Sequence, residues 1–185
     1  MRLRYSAFLL LAACCFGCGY RWGQGGALAA RQTITIPFVE GDWNGELTSE
    51  LVSQISQMGT LTYCAEGGAL ILQVKILDSR TDNIGFRYDR NRHGKLISSV
   101  IPDETRLTVW TEVALIEAAS GCVILGPARL SAEIDFDHDY YSSRNAVNVF
   151  SLGQLTDYDE AYDAVERPLN RRLAQKIVDY VNNSW

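Results

Sequence analysis

The chain has 185 residues, 47% of them hydrophobic and 21% charged, which predicts one globular domain and excludes a disordered chain. Its formal net charge of −5 argues against a general nucleic-acid binder, because neutralising phosphates requires a basic face. Only two histidines and five cysteines are present, which is little material for a metal centre. We therefore expect no metal, no cofactor and no enzymatic activity.

Residues 1–17 have the pattern of an export signal. Two bases, Arg2 and Arg4, precede an apolar run over residues 7–16, and this run is too short to span a bilayer. Removing the signal takes away these two bases and no acid. The mature chain then carries 15 bases and 22 acids, a net charge of −7.

Three of the five cysteines lie around the end of this signal. A cysteine directly after the cleavage point is the acylation site of bacterial lipoproteins. Cys18 is the predicted lipid-attachment residue, and Cys14, which follows Leu-Ala-Ala, is the alternative. Residues 18–32, rich in Gly, Ala, Gln and Arg, are predicted to be a flexible tether.

The folded domain is predicted to cover residues 33–185 and to begin with a strand. Residues 33–39 alternate apolar and polar side chains, and Pro37 places this strand at a sheet edge or ends it. An amphipathic helix follows, with Gly59 as its C-cap. The apolar residues at helical spacing are Leu47, Leu51, Ile55 and Met58.

Three further strands are predicted from period-two alternation over residues 70–77, 107–115 and 128–136. The polar stretch 78–103 between the first two is interpreted as an extended hairpin or a long loop. A turn at 120–121 makes the last two strands antiparallel neighbours.

The last element is a helix with an apolar residue every fourth position from Ala161 to Val181. Asp157 and Glu160 have the spacing of a capping box, and Pro168 is expected to kink or divide the helix. The predicted fold is therefore α+β, a two-layer sandwich. Its sheet has about four strands, mostly antiparallel or mixed, with two helices packed on one face.

A polar cluster at Asp135, Asp137, His138 and Asp139 is the densest candidate for chemistry. Its spacing matches no calcium or zinc motif, so a solvated strand end is the favoured interpretation over a metal site. A hydrolase using His138 with Asp135 or Asp137 is kept as a third hypothesis. The remaining cysteines, Cys64 and Cys122, can form a disulfide in an exported protein if their Cα atoms are close enough.

The segment 80–95 holds the only concentration of bases on the chain, with Phe86 and Tyr88 between them. Guanidinium groups bind phosphate oxygens, so this loop can meet the phosphorylated head of an anionic glycolipid. A solvated hairpin tip that pairs its own charges is the favoured alternative.

The order of these features resembles the lipopolysaccharide-assembly lipoprotein family LptE. The resemblance is carried by Cys18 followed by Gly-Tyr-Arg-Trp, the strand 34–38, the helix through Leu47 and Leu51, and the closing helix around 173–177. It implies an α/β domain anchored in the inner leaflet of the outer membrane, on the periplasmic side.

The resemblance also implies a partner and a ligand. The domain would occupy the lumen of an LptD-like β-barrel, assist its assembly and help deliver lipopolysaccharide to the cell surface. Arg87, Arg90, Arg92 and Lys95 are lipopolysaccharide-contact candidates by charge. The alternative function is a periplasm-facing lipoprotein that binds an anionic solute or lipid between helices and sheet.

Overall fold

The computed structural model describes residues 33–90, 93–138 and 157–183, and these form the predicted α+β two-layer arrangement. The predicted signal 1–17 and tether 18–32, with Cys14 and Cys18, lie outside the described residues. The elements in chain order are β1 (Thr33–Thr35), α1 (Glu46–Met58), β2 (Thr62–Tyr63), β3 (Leu70–Arg90), β4 (Leu96–Glu117), β5 (Val123–Asp137) and α2 (Tyr158–Asn183).

The sheet has five strands in the order β2-β1-β3-β4-β5. β1 pairs in parallel with β2 and β3, whereas β3–β4 and β4–β5 are antiparallel. The sheet is therefore mixed, as predicted, with one strand more than expected. The additional strand, β2, has two residues and is too short to give a periodic signal.

The first strand is shorter than its sequence pattern predicts. β1 ends at Thr35, two residues before Pro37, which agrees with proline ending the strand. β1 lies inside the sheet between β2 and β3, so the alternative of an edge position is wrong. Ile34, its central residue, is completely buried.

Helix α1 buries its apolar stripe and has glycine at both ends. Gly59 adopts φ 67° at the C-cap, as predicted. At the other end Gly45 has no side chain to cap the helix, and Asp42 supplies the acceptor instead. Its Oδ2 accepts bonds from Thr48 N at 2.8 Å and Thr48 Oγ1 at 2.7 Å, so a residue upstream of the helix satisfies its first turn.

Helix α2 is one helix of 26 residues with Pro168 inside it, so the predicted division at Pro168 is wrong. Pro168 is exposed, and on that side water can replace the hydrogen bond that proline lacks. Leu169 and Leu173 hold the opposite face against the core, 1% and 0% exposed. One of the two hydrogen bonds of the predicted capping box is confirmed, because Glu160 N donates to Asp157 Oδ1 at 2.9 Å.

The core lies between one face of the sheet and the two helices, as predicted for the two-layer fold. The inward face of β4 follows the predicted alternation: Leu107, Val109, Thr111, Val113 and Leu115 are 1%, 8%, 0%, 0% and 0% exposed. Other members of the core are Leu70, Leu72, Leu47, Leu51, Leu173 and Ile177.

Candidate functional site

The stretch predicted as a hairpin or a long loop is a continuous antiparallel ribbon. β5 pairs with β4 only as far as Glu104, opposite Asp137. Beyond that point His138 N still donates to Asp103 O at 3.0 Å, and the described residues of β3 and β4 then pair with each other down to Arg90 opposite Leu96. We call the part from Gly85 to Pro102 the ribbon.

One face of the ribbon is apolar and open. Residues opposite each other in antiparallel strands share a face, and Phe86 pairs with Pro102 and Tyr88 with Val100. Phe86, Tyr88 and Val100 are 58%, 63% and 55% exposed. Period-two alternation is the sequence signal for this face, but it is interrupted by charges and by register shifts at Gly85 and Tyr88.

The four predicted contact cations are distributed along the ribbon and its tip. Arg87 lies in β3 opposite Ile101, with its Nε 3.8 Å from Asp103 Oδ2. Arg90 is the last residue of β3, and Lys95 is exposed in the turn before β4. Arg92 lies outside the described residues. The structure therefore brings Arg87, Arg90 and Lys95 to one end of the sheet.

A buried polar network holds the base of the ribbon. Thr105, 1% exposed, donates its hydroxyl to Asn83 Oδ1 at 3.0 Å, and its Oγ1 lies 2.8 Å from His138 Nε2. Since the single hydroxyl proton goes to Asn83, His138 Nε2 is the donor to Thr105. The His138 ring also meets the Tyr158 ring edge-on at 5.0 Å, so the ribbon base is joined to the start of α2.

The ribbon tip and the N-terminus of the folded domain lie at opposite ends of the sheet. β1 begins at Thr33, and its second residue, Ile34, pairs with Leu70, the first residue of β3. The tip follows Arg90, the last residue of that 21-residue strand. At about 3.3 Å per residue, the two ends are separated by about 60 Å.

A cleft of about 220 Å³ lies between the loop before α1, the sheet and α2. Its walls combine an apolar floor, including Leu107 and Leu169, with the carboxyl groups of Asp42 and Glu166. Burial raises the pKa of Glu166, and the nearby Glu46 and Asp163 raise it further. Burial also raises the pKa of Tyr162 in the same wall. An anion would meet repulsion in this cleft.

Replacing Glu166 with glutamine is expected to raise the melting temperature at pH 7 and to leave it unchanged at pH 4. The native state holds the proton of a raised-pKa carboxyl more tightly than the unfolded state, so stability falls as pH rises above about 4.5. The expected increase in the free energy of unfolding at pH 7 is at most about 1 kcal/mol, because solvent screens this part-buried group. Thermal unfolding at both pH values measures it.

The exposed loop residue Glu66 offers a matched control for this charge removal. Glu66→Gln is expected to change the melting temperature at pH 7 by less than Glu166→Gln does, because the charge of an exposed side chain is screened by solvent. If Glu166→Gln raised the melting temperature equally at pH 4 and pH 7, that result would contradict the repulsion of Glu166 by Glu46 and Asp163.

Cys64 and Cys122 are both free in the structure, so the disulfide considered from sequence is not formed. Cys64 follows β2 at one sheet edge, and Cys122 precedes β5 at the other. Four strand spacings of about 4.8 Å separate the two edges. That exceeds the Cα separation of about 7 Å that a disulfide can bridge.

The structure places the three residues of the hydrolase hypothesis, His138, Asp135 and Asp137, in different surroundings. His138 is buried, 4% exposed, whereas Asp135 and Asp137 lie on the exposed side of β5. Asp135 is held by two bonds from Arg106, at 2.7 and 2.8 Å, and the hydrogen bond from Arg106 lowers its pKa. Within the described ranges no group of three or more potential ligands is arranged to hold a metal ion.

Solved structures that are similar to this chain include bacterial lipoproteins. A minor lipoprotein from Acinetobacter baumannii is 17% identical with a TM-score of 0.47, over 83% of this chain and 93% of that one. The rare lipoprotein B from Shewanella oneidensis is 12% identical with a TM-score of 0.49, over 82% and 95%. Lipoprotein B from Nitrosomonas europaea is 16% identical with a TM-score of 0.43, over 89% and 90%. Likeness at this level assigns no function.

No protein-family model matches the sequence, and no curated protein matches it significantly. Of the two helices in the described part of the chain, neither is long and apolar enough to cross a bilayer.

Proposed function

We propose that this chain is a non-enzymatic lipoprotein of the outer membrane, attached through Cys18 to the inner leaflet, that plugs an LptD-like β-barrel and assists lipopolysaccharide delivery. The observation that carries the proposal is the placement of the ribbon. Its cations Arg87, Arg90 and Lys95 lie at the end of the sheet opposite Thr33, where the predicted tether enters the fold.

The dimensions agree with this role. The apolar band of an outer-membrane barrel is about 25 Å tall, and the sheet is about 60 Å long from Leu70 to the ribbon tip. A domain anchored on the periplasmic side and inserted into the lumen would therefore present the ribbon on the far side of the membrane. The lumen of such barrels is polar, which suits a polar, net acidic chain.

Purification of the full, acylated chain from detergent-solubilised membranes tests the partner. We expect a large β-barrel protein to co-purify in stoichiometric amount. Recovery of the chain without any barrel protein would overturn the proposal. A matched sample of a chain with Cys18→Ser, and a second with Cys14→Ser, identifies the acylated cysteine by intact mass.

The contact with lipopolysaccharide has its own test. Replacing Arg87, Arg90, Arg92 and Lys95 by glutamine is expected to weaken lipopolysaccharide binding at least about tenfold, because each lost charge-assisted bond to phosphate contributes of the order of 1 kcal/mol. Binding of the purified chain to labelled lipopolysaccharide measures it.

A control variant removes four cations that lie away from the ribbon: Lys75, Arg129, Arg167 and Arg171. This control changes the net charge by the same amount as the ribbon variant. It is expected to bind lipopolysaccharide nearly as tightly as the natural chain does. Equal weakening of both variants would mean that overall charge, and not the ribbon, determines binding.

The alternative function, a receptor for an anion between helices and sheet, is less well supported. The cleft in that position is lined by Asp42 and Glu166, and Arg87 is not among its lining residues.

A further inference from the structure

The outer edge of β5 is closed by two side chains of α2. β5 is the last strand of the described sheet, with β4 as its neighbour on one side. On the other side Lys176 Nζ donates to Ser131 O at 2.8 Å, and Arg172 Nη1 donates to Glu133 O at 3.1 Å. These two carbonyls therefore point away from β4 and are bound by cations where a further strand would otherwise bind.

The match between helix and strand spacing explains this arrangement. Arg172 and Lys176 are four residues apart, about 6 Å along a helix. Ser131 and Glu133 are two residues apart, which is about 6.7 Å along a strand. One turn of α2 can therefore cover two successive outward carbonyls of β5.

The edge of β5 is complementary to itself. If a second copy of β5 is placed antiparallel and centred on Ser131, Arg129 of each copy lies opposite Glu133 of the other. Both side chains are exposed. On the core side of the same register, the half-buried Leu130 lies opposite Ala132. The outward carbonyls at positions 131 and 133 are those that an antiparallel partner in this register requires.

An open groove borders the edge of β5. It has a volume of about 340 Å³ and lies between β5 and α2. Its lining residues are Ala132, Glu133, Arg172, Gln175, Lys176 and Asp179.

We propose that the β5 edge is a pairing surface for a second copy of this chain, antiparallel and centred on Ser131, and that Arg172 and Lys176 hold it closed in the monomer. Covering an edge with charged groups is a known way to restrain strand pairing. The proposal is independent of the barrel partner and of lipopolysaccharide binding.

Removing the two covering cations tests the proposal. The full acylated chain that carries Arg172→Ala/Lys176→Ala is expected to dimerise at least tenfold more tightly than the natural chain. Sedimentation equilibrium in density-matched detergent measures the association constants. Arg167→Ala/Arg171→Ala removes the same charge from the same helix, where the two arginines face Glu50 instead. Equal association constants for the two variants would overturn the proposal.

The register has a separate test in the same background. Arg129→Glu alone should weaken the dimer, and Arg129→Glu/Glu133→Arg should restore it, because the swapped charges again face each other. An association constant that neither variant changes would overturn the proposed pairing.

Cross-linking at the centre of the interface completes the test. With Cys64 and Cys122 replaced by serine, Ser131→Cys is expected to form an interchain disulfide. Residues facing each other in a hydrogen-bonded antiparallel pair have Cα atoms about 5.5 Å apart, a separation that a disulfide spans. Glu133→Cys, which would not face itself, is the control. Equal cross-linking at both positions would overturn the assignment of Ser131 to the centre.

Discussion

Asp42→Ala is expected to lower the free energy of unfolding by about 2–3 kcal/mol, the cost of losing a helix cap together with charge-assisted hydrogen bonds. The carboxyl group is 4% exposed and accepts from both the amide and the hydroxyl of Thr48. The same hydroxyl accepts from Val39 N at 3.1 Å. Removing the carboxylate therefore disturbs the start of α1 and the chain that leads into it. Urea denaturation measures the loss.

Asp42→Asn separates the loss of charge from the loss of an acceptor. Asparagine keeps one side-chain oxygen that can accept from Thr48, so its effect should be clearly smaller than that of alanine. Equal destabilisation by the two variants would contradict the capping role. Asn44→Ala is a local control, because Asn44 Oδ1 accepts from Glu46 N at an exposed position.

Gly68→Ala is the second substitution with a large expected effect, about 2–4 kcal/mol of lost stability. A Cβ at this position would lie 2.6 Å from Thr35 N and 2.8 Å from the carbonyl carbon of Ile34. These are backbone atoms of β1, which is held between two strands and cannot move aside. Gly68 N also donates to Thr35 Oγ1 at 2.9 Å. The added methyl therefore clashes with the backbone of β1.

The neighbouring Gly67 supplies the matched control. A Cβ there has no heavy atom within 4 Å, but the residue adopts φ 73°. Gly67→Ala should therefore cost only about 1 kcal/mol of backbone strain. Thermal or chemical unfolding that ranks Gly67→Ala as the more damaging change would contradict the close approach at Gly68.

Regular periodicity in the sequence correctly predicted the helices and strands that have one continuously buried face. The stripe through Leu47, Leu51 and Ile55 and the alternation in β4 were both confirmed, because one side of each element is covered continuously. The alternative that Pro168 divides the last helix was wrong, since the cost of proline depends on which side of the helix meets water, and a one-dimensional pattern does not contain that information.

The full length of β3 and β4 could not be predicted from the sequence, for a related reason. Beyond Asn83 the ribbon side chains Phe86, Tyr88 and Val100 are more than half exposed, so the sequence there lacks the continuous burial that produces clean alternation. The pairing of Asp42 with Thr48 was also missed, because contacts between a loop and the following helix have no fixed spacing in the sequence. His138 was judged by its acidic neighbours, whereas its environment is set by Thr105 and Tyr158, which are distant in the chain.

The aromatic contacts around His138 have a consequence for how the chain can be rebuilt. Residues 139–156 connect β5 to α2, and their two ends are held together by described residues: Tyr158 lies 5.0 Å from His138 and 5.7 Å from Phe136 between ring centroids. The entropy of closing a connection grows slowly, by about 0.6 kcal/mol for each doubling of its length. The connection is therefore the place to insert a reporter peptide or to open the chain for circular permutation, since the elements on either side keep their own attachment to each other.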